Sequence, residues 1–240
     1  MLFLLLVLRL NKCLPGLSRR HADAAIFEGR VKVDGKVVTA PGTMVATAAE
    51  IRLDGKVQVP VVEFRYLKYW KPKDVVSDEI DLVGERMFTV GRLDKASTGL
   101  ILVTNDGRVP GLIRGLRKAY GVTVDPRPTK DDVKALAAGL EITVGPPPGL
   151  KGETKRIVTQ PCEVRIVGEN VLEFGLVEGK NRQIRRMCEA RGLRVKKLHR
   201  LRVGPFTLRG LRPGAFSYFD KADNDHLKRL LLQKQQQQQP

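Results

Sequence analysis

The sequence predicts an α+β protein in two parts, a small basic module followed by a larger mixed domain built on a mainly antiparallel sheet. Three observations lead there. Near residue 28 the spacing of apolar residues changes from helical to alternating, and beyond residue 60 valine-rich segments dominate, with few helical stretches between them. A chain of 240 residues with 42% hydrophobic content carries enough apolar surface for two cores, which excludes a disordered chain. No apolar run reaches the roughly 18 residues that a membrane span needs.

The elements follow in order. Leu10, Leu14, Leu17, Ala22, Ala25 and Ile26 fall at helical spacings; Pro15-Gly16 interrupts them, and Ser18 caps a second helix to about Phe27. Val31, Val33, Val37 and Val38 then flank Asp34-Gly35 as a hairpin, and Ile51 to Leu53 with Asp54-Gly55 repeats the signal. Two helices and a small hairpin sheet thus make a module over residues 9–58. A second domain spans 59–222, with strands expected over Phe64 to Tyr69, Leu100 to Val103 and Tyr120 to Val124. Pro126 to Leu140 reads as a helix, Val164 to Val167 and Val171 to Leu176 as a hairpin, and Arg182 to Ala190 as a helix ending near Gly192. Residues 223–240 form a tail, a short helix starting at Asn224 and fraying into glutamines.

Charge points to the partner. With 43 Lys+Arg against 26 Asp+Glu, the formal charge is +17, which calls for a polyanion, most commonly nucleic acid, with an anionic membrane surface as competitor. The module holds nine basic and five acidic residues; Ser18-Arg19-Arg20 opens its helix, and Arg30, Lys32 and Lys36 flank its hairpin. Those cations suit phosphates or make an ordinary solvated surface. Residues 178–212 are more concentrated, with twelve basic and two acidic side chains. Cys13, Cys162 and Cys188 lie far apart without a Cys-x-x-Cys, so reduced thiols are expected rather than a metal or disulfide framework.

Two segments carry candidate chemistry. In Gly91-Arg92-Leu93-Asp94-Lys95-Ala96-Ser97-Thr98-Gly99, a carboxylate sits between cations on a turn that leads into an apolar strand. Neighbouring cations hold such a carboxylate ionised, ready as nucleophile or base; the alternative is an Asp that merely caps the turn. The second segment, Glu178-Gly179-Lys180-Asn181-Arg182-Gln183-Ile184-Arg185-Arg186-Met187, opens a helix whose Arg182 and Arg186 share one face.

The stretch R-L-N-K-x-L…S-R-R-x-A-D…I-x-x-G-R-V-x-V-D-G-K-V, from Arg9 to about Lys56, resembles the alpha-L RNA-binding domain first named from ribosomal protein S-four. Beyond it, Lys71-Pro72-Lys73, G-R-L-D-K-x-S-T-G-L-I-L-V-T-N-D-G, Lys118-x-Tyr120-x-Val122-x-Val124, E-G-K-N-R-Q-I-R-R-M and Leu198-x-Arg200-x-Arg202-Val203-Gly204-Pro205 occur in order. Together they resemble the RsuA-like (RsuA/RluB-type) ribosomal RNA pseudouridine synthases, over about residues 9–212. The resemblance implies an isomerase that converts uridine to pseudouridine in ribosomal RNA without cofactor or metal. It implies Asp94 as the catalytic aspartate, Tyr120 stacked on the target base and Arg185 paired with Asp94. Arg19, Arg20, Arg30, Lys32, Lys36, Arg92, Lys180, Asn181, Arg182, Gln183 and Arg186 are then expected to contact RNA. Asp94 either attacks the anomeric carbon or removes the 2′ proton; the resemblance leaves both open.

Two departures stand out. The connections from Lys73 to Gly91 and from Gly107 to Tyr120 are short, and Asp74 replaces the family's usual glycine. They bear on RNA choice more than on chemistry. A catalytically inactive RNA-binding assembly protein of the same fold, or a basic scaffold, are the alternatives. The expected partner is ribosomal RNA or a ribosomal particle, with no membrane and no obligate protein partner. The apolar run Met1 to Leu8 lacks a positive start and a cleavage site, so secretion is not expected. The compartment would be cytoplasm for a bacterial chain, plastid or mitochondrion for a eukaryotic one.

Overall fold

The computed structural model describes residues 7–46, 48–58, 63–80, 87–145 and 152–236. Most of the N-terminal apolar run, the core of the 74–90 connection and the last glutamines lie outside these residues. The chain divides into two compact units, Met1–Phe64 and Arg65–Pro240.

The first unit contains β1 (Val7–Arg9), α1 (Arg19–Phe27), β2 (Val31–Val33), β3 (Lys36–Val37), β4 (Met44–Ala46), β5 (Ile51–Leu53) and β6 (Lys56–Gln58). The Ser18 hydroxyl accepts from the His21 amide and starts α1 as expected. Both hairpins turn at Asp-Gly, with positive φ at Asp34, Gly35, Asp54 and Gly55, the geometry that matches strand twist. They pair as β3-β2-β5-β6, while β1 pairs with β4. The expected first helix is only a single 3-10 turn, Leu10–Lys12. Pro15-Gly16 leaves no room for more, and Leu10 and Leu14 reach the core from turns instead.

The second unit runs β7 (Tyr66–Lys71), β8 (Phe88–Val90), β9 (Thr98–Thr104), α2 (Val109–Ile113), β10 (Lys118–Asp125), α3 (Lys130–Ala138), β11 (Glu141–Val144), β12 (Lys155–Val158), β13 (Glu163–Gly168), β14 (Val171–Leu176), α4 (Gln183–Glu189), β15 (Arg194–Val203), β16 (Phe206–Thr207), β17 (Phe216–Tyr218) and α5 (Lys221–Gln236). Among the described residues nine strands join in one sheet, with β13-β14-β10-β15-β9-β7-β17 as its path; β8 adds to β9 and β16 to β15. Every pairing is antiparallel except β9 with β15. Two cores cover the sheet. Ile101 and Val103 pack with α3 and α4 through Leu136, Ile184 and Met187, whereas Leu100 and Leu102 pack with α2 and α5 through Val109, Ile113 and Leu227. Burial on both faces is why β9 reads as an unbroken apolar run.

One strand escapes the sequence reading, and two further expectations change. The strand β15, ten residues of RVKKLHRLRV, was not legible because charges dominate its pattern; yet it is central, burying Leu198, Arg200 and Val203. The α3 helix starts later than Pro126, at a reciprocal cap between Thr129 and Asp132, because two prolines precede it. The tail beyond residue 222 is not a separate fraying segment. Its helix begins at Lys221, Asp220 caps the Asp223 amide at 2.9 Å, Asp223 pairs with buried Lys68 at 2.6 Å, and Leu227 enters the core.

Two residues of the densest motif are structural. Gly99 has φ +115°, and a Cβ there would lie 2.4 Å from the Arg200 carbonyl oxygen, since β9 and β15 meet at this point. Asp106, buried, accepts from Tyr66 Oη at 2.9 Å and from the Arg108 amide and guanidinium at 2.7–2.9 Å. Burial raises its pKa, but the bonds from Arg108 and Tyr66 outweigh burial and hold it below the usual carboxylate value.

Gly99→Ala is expected to cost on the order of 3 kcal/mol or more, read as lost soluble yield or a strongly lowered Tm. For Asp106 the depressed folded pKa means its contribution is complete above about pH 4 and is lost as pH falls through the folded value. Asp106→Asn is expected to lose about 2–3 kcal/mol at neutral pH, under the range for a fully buried pair because Arg108 keeps water contact. Urea melts from pH 7 down to about pH 2 should show a shallower acid decline in the variant than in wild type.

Candidate active site

Asp94 lies on the turn between β8 and β9, where its carbonyl accepts from the Ser97 amide at 2.9 Å. Its side chain is 31% exposed, and Oδ2 faces two cations, Arg185 Nε at 3.4 Å and Arg182 Nη1 at 3.5 Å. Neither contact is a hydrogen bond, so charge alone holds that oxygen. Among the described residues Oδ1 has no partner and is free to act. Arg185 is 14% exposed and oriented from its far side, its Nη2 donating to the buried Ser97 hydroxyl at 3.2 Å and Nη1 to the Val195 carbonyl at 3.4 Å.

Tyr120, 9% exposed on β10, lines the same cleft of about 90 Å³ as Asp94 and Arg185, with Leu176, Ile184 and Leu198 as apolar wall. A larger cavity of about 330 Å³ opens beside Arg117 and Cys162, but Arg117 there pairs with Glu163 and none of the candidate residues reaches it. The cleft with converging charge is therefore the functional candidate.

The start of α4 shapes this cleft. Arg182 is its cap and adopts φ 51°, ψ 32°, a left-handed conformation costing a non-glycine residue roughly 1–2 kcal/mol. That strain turns a half-exposed guanidinium toward Asp94. Gln183 is buried along the cleft wall, its Oε1 accepting from the Lys180 amide at 3.0 Å and its Nε2 donating to Glu178 at 2.6 Å, so it closes the turn before the helix. Arg186 donates to Asn181 at 3.0 Å and to the Thr143 carbonyl on β11, which ties both residues to that strand. Arg92 at the rim pairs with Asp78 at 3.0 Å, and Lys180 with Glu178 at 3.6 Å.

In the first unit the expected cations divide. Arg30, about half exposed, directs its fork to Asp54 at 2.6 and 2.8 Å and reaches Glu28 at 3.2 Å. Arg19 stands 3.9 Å from Asp23. Arg20, Lys32 and Lys36 form no ion pair among the described residues.

Sequence reasoning missed the residues under the turn. Lys71, 0% exposed at the end of β7, donates to the carbonyls of Pro72 at 2.8 Å, Val75 at 2.7 Å and Lys95 at 3.2 Å; burial pulls its pKa down while Asp74 and Asp94 oppose that. Asp74, in place of glycine, takes φ 66° and donates its amide to Lys95 at 2.8 Å. Ser77 is buried; its hydroxyl donates to the Leu93 carbonyl at 2.8 Å and accepts from the Leu93 amide at 3.1 Å, acting as a strand neighbour would. The Lys-Pro-Lys motif marked this segment, but nothing local says that a lysine will be buried.

The chain matches known proteins over most of its length. Residues 56–190 match the family model described as RNA pseudouridylate synthase, and residues 6–51 match the S4 domain. The chain is 32% identical over 219 residues to "Ribosomal large subunit pseudouridine synthase B" of Bacillus subtilis, covering 82% of this chain and 84% of that one. It is 35% identical to "Dual-specificity RNA pseudouridine synthase RluF" of Escherichia coli K12, covering 86% and 73%. A solved structure titled "Crystal structure of pseudouridylate synthase" superposes with TM-score 0.62 at 26% identity, covering 93% of this chain and 99% of that one.

Ser77→Ala removes a hydroxyl that satisfies two buried groups of the residue preceding Asp94. A loss of about 2–4 kcal/mol is expected in urea denaturation, with Ser77→Thr recovering part of it.

Proposed function

The chain belongs to the RNA pseudouridylate synthase family, in its RsuA/RluB-type branch with an N-terminal S4 domain, and from that premise we propose that it isomerises a specific uridine of ribosomal RNA to pseudouridine with Asp94 as the catalytic carboxylate and no cofactor. As a member of this family it is an isomerase. The single observation that carries the residue assignment is the Asp94 carboxylate, ion-paired through Oδ2 alone, at a cleft that Tyr120 also lines.

The reaction breaks the bond between C1′ and N1, rotates the uracil, and joins C1′ to C5; C5 loses its proton and N1 gains one. A carboxylate suffices, whether it attacks C1′ or removes the 2′ proton. Arg185 offsets the cost of partly desolvating that carboxylate, and Oδ1 remains available for the first step. Tyr120 offers a flat face on which stacking is worth roughly 1–3 kcal/mol per base. A uridine must leave its own stack to enter, which costs a few kcal/mol. Phosphate contacts from Arg182, Lys180 and Arg92 at the cleft, and from Arg20, Lys32 and Lys36 in the first unit, offset that cost. Ribosomal RNA is the substrate the named relatives support, and the excess positive charge agrees with it. The inactive-binder alternative finds no support, because Asp94, Arg185 and Tyr120 are all retained at one cleft.

The experiment uses ribosomal RNA transcripts whose uridines carry tritium at C5. Wild-type protein is expected to release tritium to water, and Asp94→Asn to do so at least about 10²-fold more slowly while still binding RNA. Release by Asp94→Asn at the wild-type rate would remove Asp94 from the mechanism.

A further inference from the structure

The motif from Leu198 to Pro205 gives the cleft its Leu198 wall and also places a buried charge in the second unit. Arg200, on β15, is 4% exposed. Its Nε donates to the Leu100 carbonyl at 2.7 Å and its Nη1 to the Arg92 carbonyl at 3.5 Å. Nη2 is buried and has no partner among the described residues. Leu100 and Arg92 bracket the loop that carries Asp94, so one guanidinium holds both ends of it. Arg200 is also directly opposite Tyr120 in the antiparallel pairing of β10 and β15. Paired residues there project from the same face with Cβ atoms about 4.5–5.5 Å apart.

We propose that Arg200 is a positioning residue for this reaction, a buried cationic clamp that fixes the Asp94 loop relative to Tyr120. The proposal rests on Asp94 being the catalytic carboxylate.

Packing alone gives no reason for a cation here. A methionine would fill the same length of apolar stem, whereas an arginine buries a donor with no acceptor and bears its desolvation cost. Nor can the group relieve that cost by losing its proton, because guanidinium stays charged in proteins. The neighbouring Lys118 feels this charge, its pKa being pulled down first by burial and then by Arg200. What arginine alone supplies is a rigid planar fork that reaches two carbonyls at once; a lysine ammonium is a point donor on a flexible stem. The contact at 3.5 Å to Arg92 is the longer arm, at the end of the loop nearer Asp94. Gly99, whose backbone passes against that of Arg200, brings the strand close enough for the clamp to close.

The test is single-turnover tritium release on the same transcripts with wild type, Asp94→Asn, Arg200→Lys and Arg200→Met, giving a rate constant at saturating RNA and the RNA concentration for half-maximal rate. Arg200→Met is expected to lose about 10²-fold in rate, the scale of roughly 1 Å misplacement, while half-saturation changes less than about 3-fold. Arg200→Lys, which keeps charge but not the fork, is expected to recover part of the rate. Rates are taken per RNA-binding-competent protein, so a fraction unfolded does not count as slow chemistry. Should Arg200→Met fail to fold, Arg200→Lys decides alone: a loss of at least about 10-fold at unchanged half-saturation sustains the clamp. Wild-type rates in the folded variants overturn it, as does a parallel rise in half-saturation, which would make Arg200 an RNA contact. If neither variant folds, Arg200 belongs to the fold and the proposal is wrong. An active Asp94→Asn would instead sink the Asp94 reading, so the two failures are told apart.

Discussion

A carboxylate on an irregular turn keeps its place only if something other than a strand ladder takes the turn's polar groups. Around Asp94 buried donors do this: Lys71 on the Lys95 carbonyl, Ser77 on both backbone groups of Leu93, and Arg200 on the carbonyls of Arg92 and Leu100. Each sits where water is excluded, so an unmade bond would carry the full desolvation penalty. Lys71 and Arg200 serve twice, since the charge that grips a carbonyl also contributes positive potential under the cleft.

On the other side of the cleft the constraint is conformational. The start of α4 needs Arg182 in a left-handed geometry, and the Gln183–Glu178 bond with the Gln183–Lys180 bond closes the turn that forces it. From there the helix delivers Arg185 from its buried side and Arg186 from its other side to β11. A short segment thus divides its polar residues between the cleft and the scaffold. Sequence composition treats them all as one basic stretch.

Charge in the protein is likewise less free than its total implies. Arg30 and Arg52 in the first unit are matched by carboxylates, and so are Arg92, Arg108 and Arg191 in the second. The cations without ion-pair partners among the described residues, Arg20, Lys32 and Lys36 among them, can meet a phosphate without first leaving a carboxylate. Surface pairs add little to stability, so their effect is mainly to decide which side chains a polyanion meets.

The sequence alone determined what is local. Asp-Gly turns, the Ser18 cap, the two-sided apolar run of β9 and the motif order carrying Asp94, Tyr120 and Arg185 need only neighbours a few residues away, and the S4 and synthase regions followed from them. Tertiary structure decided the rest. A strand as cationic as β15 is central through its pairing with β10 and β9; its Arg200 is buried against carbonyls of Leu100 and Arg92 about a hundred residues earlier, and Arg185 reaches Ser97 across 88. Lys71 and Gln183 look like solvated side chains until the fold closes acceptors around them. Burial of a charged group depends on partners distant in the chain, and no local pattern records where those partners will arrive.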